Sequence, residues 1–139
     1  PYPTRLCDAF KKDQMNTLIS VLEQRAGINM FNKNVVLKTT GGIKFKEQSP
    51  NLAVIMSIAS SVLEKPIPNE IAFIADVGLT GELKKVPSIE SRLRELDRMG
   101  FKRVYVAKDS VKDKEYKNIE VRQIKTINEG LKEIFGYKR

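Results

Sequence analysis

Glu70–Val77, EIAFIADV, is the most apolar strand-like run in the chain, and the rest is read outward from it. Six of its eight residues are apolar, so it offers no polar face to water. That pattern predicts a strand covered on both faces at the centre of a sheet. Pro66 and Pro68 stand before it, and Gly78 and Gly81 break it. On the N-terminal side, Leu52, Ala53, Ile55, Met56, Ala59, Ser60 and Leu63 predict a helix over residues 49–63, apolar around much of its circumference. On the C-terminal side, Leu83 to Val86 reads as a short returning strand. A helix then starts at Ser88, with Ile89, Leu93, Leu96 and Met99 as its apolar positions and Gly100 as its stop. Arg103–Ala107 and Ile119–Ile124 read as strands, and Thr126 caps a last helix through Ile127, Leu131, Ile134 and Phe135. Nearer the start, Met15, Leu18, Ile19, Leu22 and Ala26 mark a helix over residues 13–25 that stops at Gly27. Asn34 to Thr39 is a strand running into Gly41-Gly42. The order α-β-α-β-β-α-β-β-α, with no linker and no repeat, predicts an α/β or α+β sandwich in a single domain, residues 1–139.

At 139 residues and 15.8 kDa the chain fits one compact domain with a self-sufficient core. It contains no histidine, which excludes Ser-His and Cys-His catalysis and histidine-ligated metal. The single cysteine, Cys7, can form no internal disulfide; it has no histidine partner and is read as an inert thiol in a reducing, cytoplasmic setting. No apolar stretch approaches the ~18 residues of a membrane span. The chain opens on Pro1 without a methionine and is read as a fragment of a longer protein. Its net charge is +8, unevenly placed: +4 over residues 1–50, −1 over 51–100 and +5 over 101–139. A basic balance favours polyanions but specifies neither a sequence nor a chemistry.

Several stretches together resemble one family. Gly41-Gly42-Ile43-Lys44, Leu52-Ala53 and Asp76-Val77-Gly78-Leu79-Thr80-Gly81-Glu82-Leu83 are similar to the C-terminal Lon-protease-like domain of bacterial RadA (Sms). Val86-Pro87, Ile89-Glu90, Arg92-Leu93, Gly100-Phe101-Lys102-Arg103 and Leu22-Glu23-Gln24-Arg25-Ala26-Gly27 extend the likeness over nearly the whole chain. The resemblance implies the sandwich of the Lon proteolytic domain, a fold also found in a ribosomal-protein domain. RadA proteins also carry a zinc motif and a RecA-like ATPase core. This sequence has no cysteine cluster and no G-x-x-x-x-G-K-[ST] loop, so neither ATP nor zinc is expected to bind this fragment.

Lon peptidases use a Ser-Lys dyad, and the family pattern lays its two positions on Ser49 and Arg92. Most RadA proteins have a small non-nucleophilic residue at the first position, so Ser49 departs toward Lon. Arg92, however, stays protonated and cannot take a proton from serine. Pro50, after the serine, has no N–H to offer an oxyanion, and Ser followed by Pro is itself a favoured helix start. Ser49 and Arg92 are therefore read as vestigial dyad positions. Gly41, Gly42, Gly78 and Gly81 could cradle a phosphate, but turns that need positive φ explain them more simply. Asp76 and Glu82 could pair as carboxylates, although the spacing defines no geometry for them.

The function implied is a non-catalytic Lon-like domain of a DNA repair and recombination protein that supports a homo-oligomeric ring, expected to be a hexamer, and sequence-independent DNA binding. Candidate DNA contacts are Lys84, Lys85, Arg94, Arg98, Lys102 and Arg103, with Arg94 and Arg98 sharing a helical face away from Leu93 and Leu96. Lys108, Lys112, Lys114 and Lys117 form the next basic segment. Two other functions stay open: the serine peptidase domain of a Lon-type ATP-dependent protease, and a pure oligomerisation scaffold whose charge is incidental.

Overall fold

A computed structural model describes residues 5–7, 12–30, 35–37, 51–112 and 116–138. It is a mixed α/β structure. Strand β1 (Arg5–Cys7) leads into helix α1 (Lys12–Ala26) and strand β2 (Val35–Leu37), which pairs parallel with β1. Helix α2 (Asn51–Leu63) precedes β3 (Ile71–Ile74), β4 (Asp76–Val77) and β5 (Leu83–Lys84). Then come α3 (Ile89–Arg98), β6 (Arg103–Ala107), β7 (Glu120–Ile124) and α4 (Ile127–Phe135). Strands β3, β6 and β7 form a parallel sheet in the order β3-β6-β7, while β4 and β5 form a separate antiparallel pair.

Helices cover both faces of the parallel sheet. On one face Phe73, Tyr105, Ala107 and Ile124 meet the buried sides of α1, α2 and α4. Helix α1 contributes Met15, Leu18, Ile19, Leu22 and Ala26 as its spacing predicts, together with Val21. Helix α2 contributes Leu52, Ile55, Met56, Ile58 and Ala59. On the other face Val104 and Val106 meet Leu93 of α3, with Ile89, Leu96, Phe101, Val111, Tyr116 and Ile119 around them. Thr126 caps α4 as expected, its hydroxyl accepting the Glu129 N–H at 3.3 Å.

The structure corrects several expectations. Residues 70–77 are not one strand: the run breaks at Ala75, whose carbonyl leaves the ladder and accepts the Leu52 N–H at 3.1 Å. That N–H is one of the amides a helix leaves unpaired at its start. The central place in the described sheet belongs to β6, not to the apolar run at 70–77. Val104, Tyr105, Val106 and Ala107 are all buried, whereas in β3 only Phe73 is. Strand β6 wins because β3 and β7 flank it and both helix layers press on it. The returning strand is shorter than Leu83–Val86, ending at Lys84. Ser88 does not cap α3 with its hydroxyl; it takes φ 58°, ψ 35°. Met99, expected on the apolar face, is exposed. Strand β1 has no counterpart in the sequence reading.

Candidate nucleic-acid interface

The turn between β4 and β5 spends its amides on itself. Gly78 donates its N–H to the Glu82 carbonyl at 2.8 Å, and Gly81 to the Gly78 carbonyl at 3.0 Å. The Thr80 hydroxyl donates to the Glu82 carboxylate, and this bond holds that carboxyl below its ordinary range. Gly81 sits at φ +83°, and a Cβ there would lie 3.3 Å from the Arg25 Cβ. Its carbonyl accepts the Ile127 N–H at 2.9 Å, which docks the start of α4. Gly78 and Gly81 are therefore structural. With both N–H groups committed, they make no phosphate cradle.

Asn51, at the start of α2, is the buried polar residue of the described core. Its side chain accepts from Gln14 Nε2 at 2.5 Å and donates to Asp76 Oδ1 at 2.7 Å, which also takes the Val77 N–H at 2.7 Å. Asp76 and Glu82 thus each have their own donors and do not pair with one another. This junction ties α1, α2 and β4, and no periodicity in the sequence marked Asn51. Only its place ahead of an apolar helical run hinted at it. Asn51→Ala would leave the Asp76 carboxylate short of a donor in a partly buried site. Chemical denaturation should show a loss of about 1–3 kcal/mol.

Ser49 and Pro50 lie outside the described residues, as do Gly41, Gly42 and Lys114. Arg92 is half-buried on α3, and its Nε donates to the Pro87 carbonyl at 3.2 Å.

The six basic candidates do not form one patch. Leu83, next to Lys84 and Lys85, donates its N–H to the Lys125 carbonyl at one end of β7. Lys102 accepts the Glu120 N–H, and Arg103 pairs with Glu120, at the other end. The five residues of β7 put about 16 Å between the two groups. Arg103 is held by Glu120 at 2.9 Å and by the Tyr105 hydroxyl at 3.3 Å, and Arg98 by both oxygens of Glu95 at 2.6 Å. Lys84 lies over Gly78, next to the Glu82 carboxylate. Arg94 is exposed on α3 and has no ion pair among the described residues. The sequence reading treated Lys112 and Lys117 as a segment apart. The structure sets them beside α3, because Asp97 accepts the Asn118 N–H at 2.8 Å and Val111 and Tyr116 pack with the Leu93 cluster.

Among the described residues no group of three or more His, Cys, Asp or Glu is placed to hold a metal ion, and no helix is long and apolar enough to cross a membrane. No protein-family model matches the chain. It is similar to the DNA repair protein RadA of Listeria monocytogenes, with 36% identity over 129 residues, covering 92% of this chain and 28% of that protein. The RadA of Streptococcus pneumoniae is 39% identical over 125 residues, 89% of this chain and 30% of the relative. That of Bacillus subtilis is 35% identical over 135 residues, 96% and 30%. The chain spans less than a third of the length of these relatives. Over about nine-tenths of its length, the chain is similar to one segment of the RadA DNA repair proteins, the family its motifs resemble.

Proposed function

We propose that the chain is a non-catalytic, Lon-like segment of a cytoplasmic RadA-type protein that assembles with further copies into a ring and holds DNA through its phosphates. The observation that carries this reading is the 35–39% identity to proteins named for DNA repair across about nine-tenths of the chain. The net charge of +8 supports it, since cations that neutralise phosphates release the counterions condensed on DNA. Contacts to phosphate fix position without reading bases, so binding is indifferent to sequence. Catalytic silence follows from chemistry: the Arg92 guanidinium cannot serve as a base, and Pro50 lacks the amide an oxyanion would need.

Fluorescence anisotropy with labelled duplexes of unrelated sequence tests the reading. Affinities should agree among duplexes and fall steeply between 50 and 200 mM salt, roughly in proportion to the number of phosphates contacted. Sedimentation should show concentration-dependent oligomers, and peptide substrates should stay intact. Absence of DNA binding at 50 mM salt would sink the DNA reading. A strict monomer at high micromolar concentration would count against the ring, and hydrolysis abolished by Ser49→Ala would overturn catalytic silence.

A further inference from the structure

We infer that a second copy of this chain docks on the outer side of α1 beside the β4–β5 turn, with Leu79 of one copy against Met99 of the next. This rests on the ring reading above and gives its contact a place.

Leu79 and Met99 are the large apolar side chains that stand exposed among the described residues, at 72% and 62%. A single exposed leucine is ordinary. This one sits on a braced turn: the Gly78 and Gly81 amides bond within it, and the Thr80 hydroxyl donates to the Glu82 carboxylate. Arg25 Nε donates to the Leu79 carbonyl at 3.4 Å and ties the turn to α1. A segment already held in place has little freedom to lose on association. Leu79 also borders two open clefts against α1. One is lined by Ser20, Val21 and Gln24, the other by Gln14, Asn51 and Lys84, and Thr17 lines both.

Charge points to a second copy as the occupant. Helix α1 has no charged residue from Gln14 to Leu22, and Asn16, Thr17, Ser20 and Gln24 are exposed on it. Residues 14–25 and 76–84 together hold Arg25 and Lys84 against Glu23, Asp76 and Glu82, a net −1 in a chain of +8. A strong net charge keeps copies apart, so they approach most easily where the excess of cations is missing. The centres of interfaces are depleted of charged side chains in the same way and enriched in Met. A polyanion, by contrast, gains nothing at a face of net −1.

The two exposed apolar side chains lie at opposite ends of the molecule. The β4–β5 turn is fastened at the C-terminal end of β7, where Leu83 donates its N–H to the Lys125 carbonyl. Met99 closes α3 just ahead of Lys102, whose carbonyl accepts the Glu120 N–H at the N-terminal end. The length of β7, about 16 Å, separates the two places. A contact between them therefore joins one copy to the next, and a contact between unlike ends repeats around a ring. Residues 94–103, around Met99, hold Arg94, Arg98, Lys102 and Arg103 against Glu95 and Asp97, an excess opposite in sign to the Leu79 face. Glu120 on Arg103 and Glu70 next to Lys102 trim that excess without reversing it, so no like charges oppose the contact. The flexible thioether of Met99 suits an irregular cleft such as those beside Leu79.

Sedimentation of the parent chain, Leu79→Ser, Met99→Ser and the double variant tests the contact. None of these changes alters the charge, and thermal melts check that each is folded. Each single variant should lower the association constant by about tenfold or more, as truncation of an interface anchor does. The double variant should lose little beyond the larger single loss, because the two side chains touch each other. Disulfide trapping reads the direction. Leu79→Cys and Met99→Cys are made separately in a Cys7→Ser background, then mixed and oxidised. Disulfides should join unlike variants in preference to like ones, since the bond needs Cα atoms within about 7 Å. Unchanged association in both serine variants would overturn the inference while leaving the ring to another face. Disulfides between like variants alone would overturn the head-to-tail contact. A parent chain that stays monomeric at high micromolar concentration removes this inference and the ring reading together.

Discussion

Tyr105→Ala is expected to cost about 3–5 kcal/mol of folding stability, the range for removing a large aromatic side chain from a packed core. Tyr105 lies on β6, fully buried between β3 and β7, where a cavity cannot collapse without moving three strands. Its ring stacks on Phe73 of β3 with centroids 5.5 Å apart and planes 18° from parallel. Its hydroxyl accepts from Arg103 and donates to the Glu133 carboxylate of α4, each at 3.3 Å. Tyr105→Phe keeps the ring and loses those bonds, so its cost should be nearer 1 kcal/mol. Burial pushes the phenol above its ordinary value near 10. Above that pH the unfolded chain releases the Tyr105 proton while the folded chain keeps it, so stability falls as pH rises. Urea titrations from pH 8 to 11 should show this fall in the parent and a shallower one in Tyr105→Phe. Equal stability of Tyr105→Ala and the parent would refute the central role given to β6.

The second large effect is expected at Leu93. Leu93→Ala should lose about 2–5 kcal/mol, again measured by denaturant midpoint. Its layer is small, with Leu93, Val104, Val106 and Ile119 as the buried members, so few neighbours can fill the space. Leu93→Met, which preserves volume, should restore most of the loss. An unchanged midpoint in Leu93→Ala would show that α3 does not hold this face of the sheet.

Most of the helices were legible in the sequence because each buries one side, and burial of one side imposes a period on the residues. Met15, Leu18, Ile19 and Leu22 on α1, and Ile127, Leu131 and Phe135 on α4, lie where that period puts them. Thr126 was legible as a cap because a hydroxyl at a helix start bonds to an amide only three residues away. The mixed α/β class followed from the alternation of these periods. Which strand is central did not, because an apolar run reports burial and not neighbours. EIAFIADV and RVYVA look alike as sequence, yet only the latter lies between two strands of the described sheet. Strand β1 is three residues long, too short for any alternation to show. Asn51 and the Asp97–Asn118 clamp were invisible for a related reason. Their partners lie 25 and 21 residues away, and a hydrogen bond across that distance leaves no local pattern. The basic residues were plain in the sequence as charges. Arg98 meets Glu95 within one helical turn, but that Arg103 faces Glu120 and Arg122 faces Glu133 depends on how β6, β7 and α4 pack, and only the tertiary structure decides that.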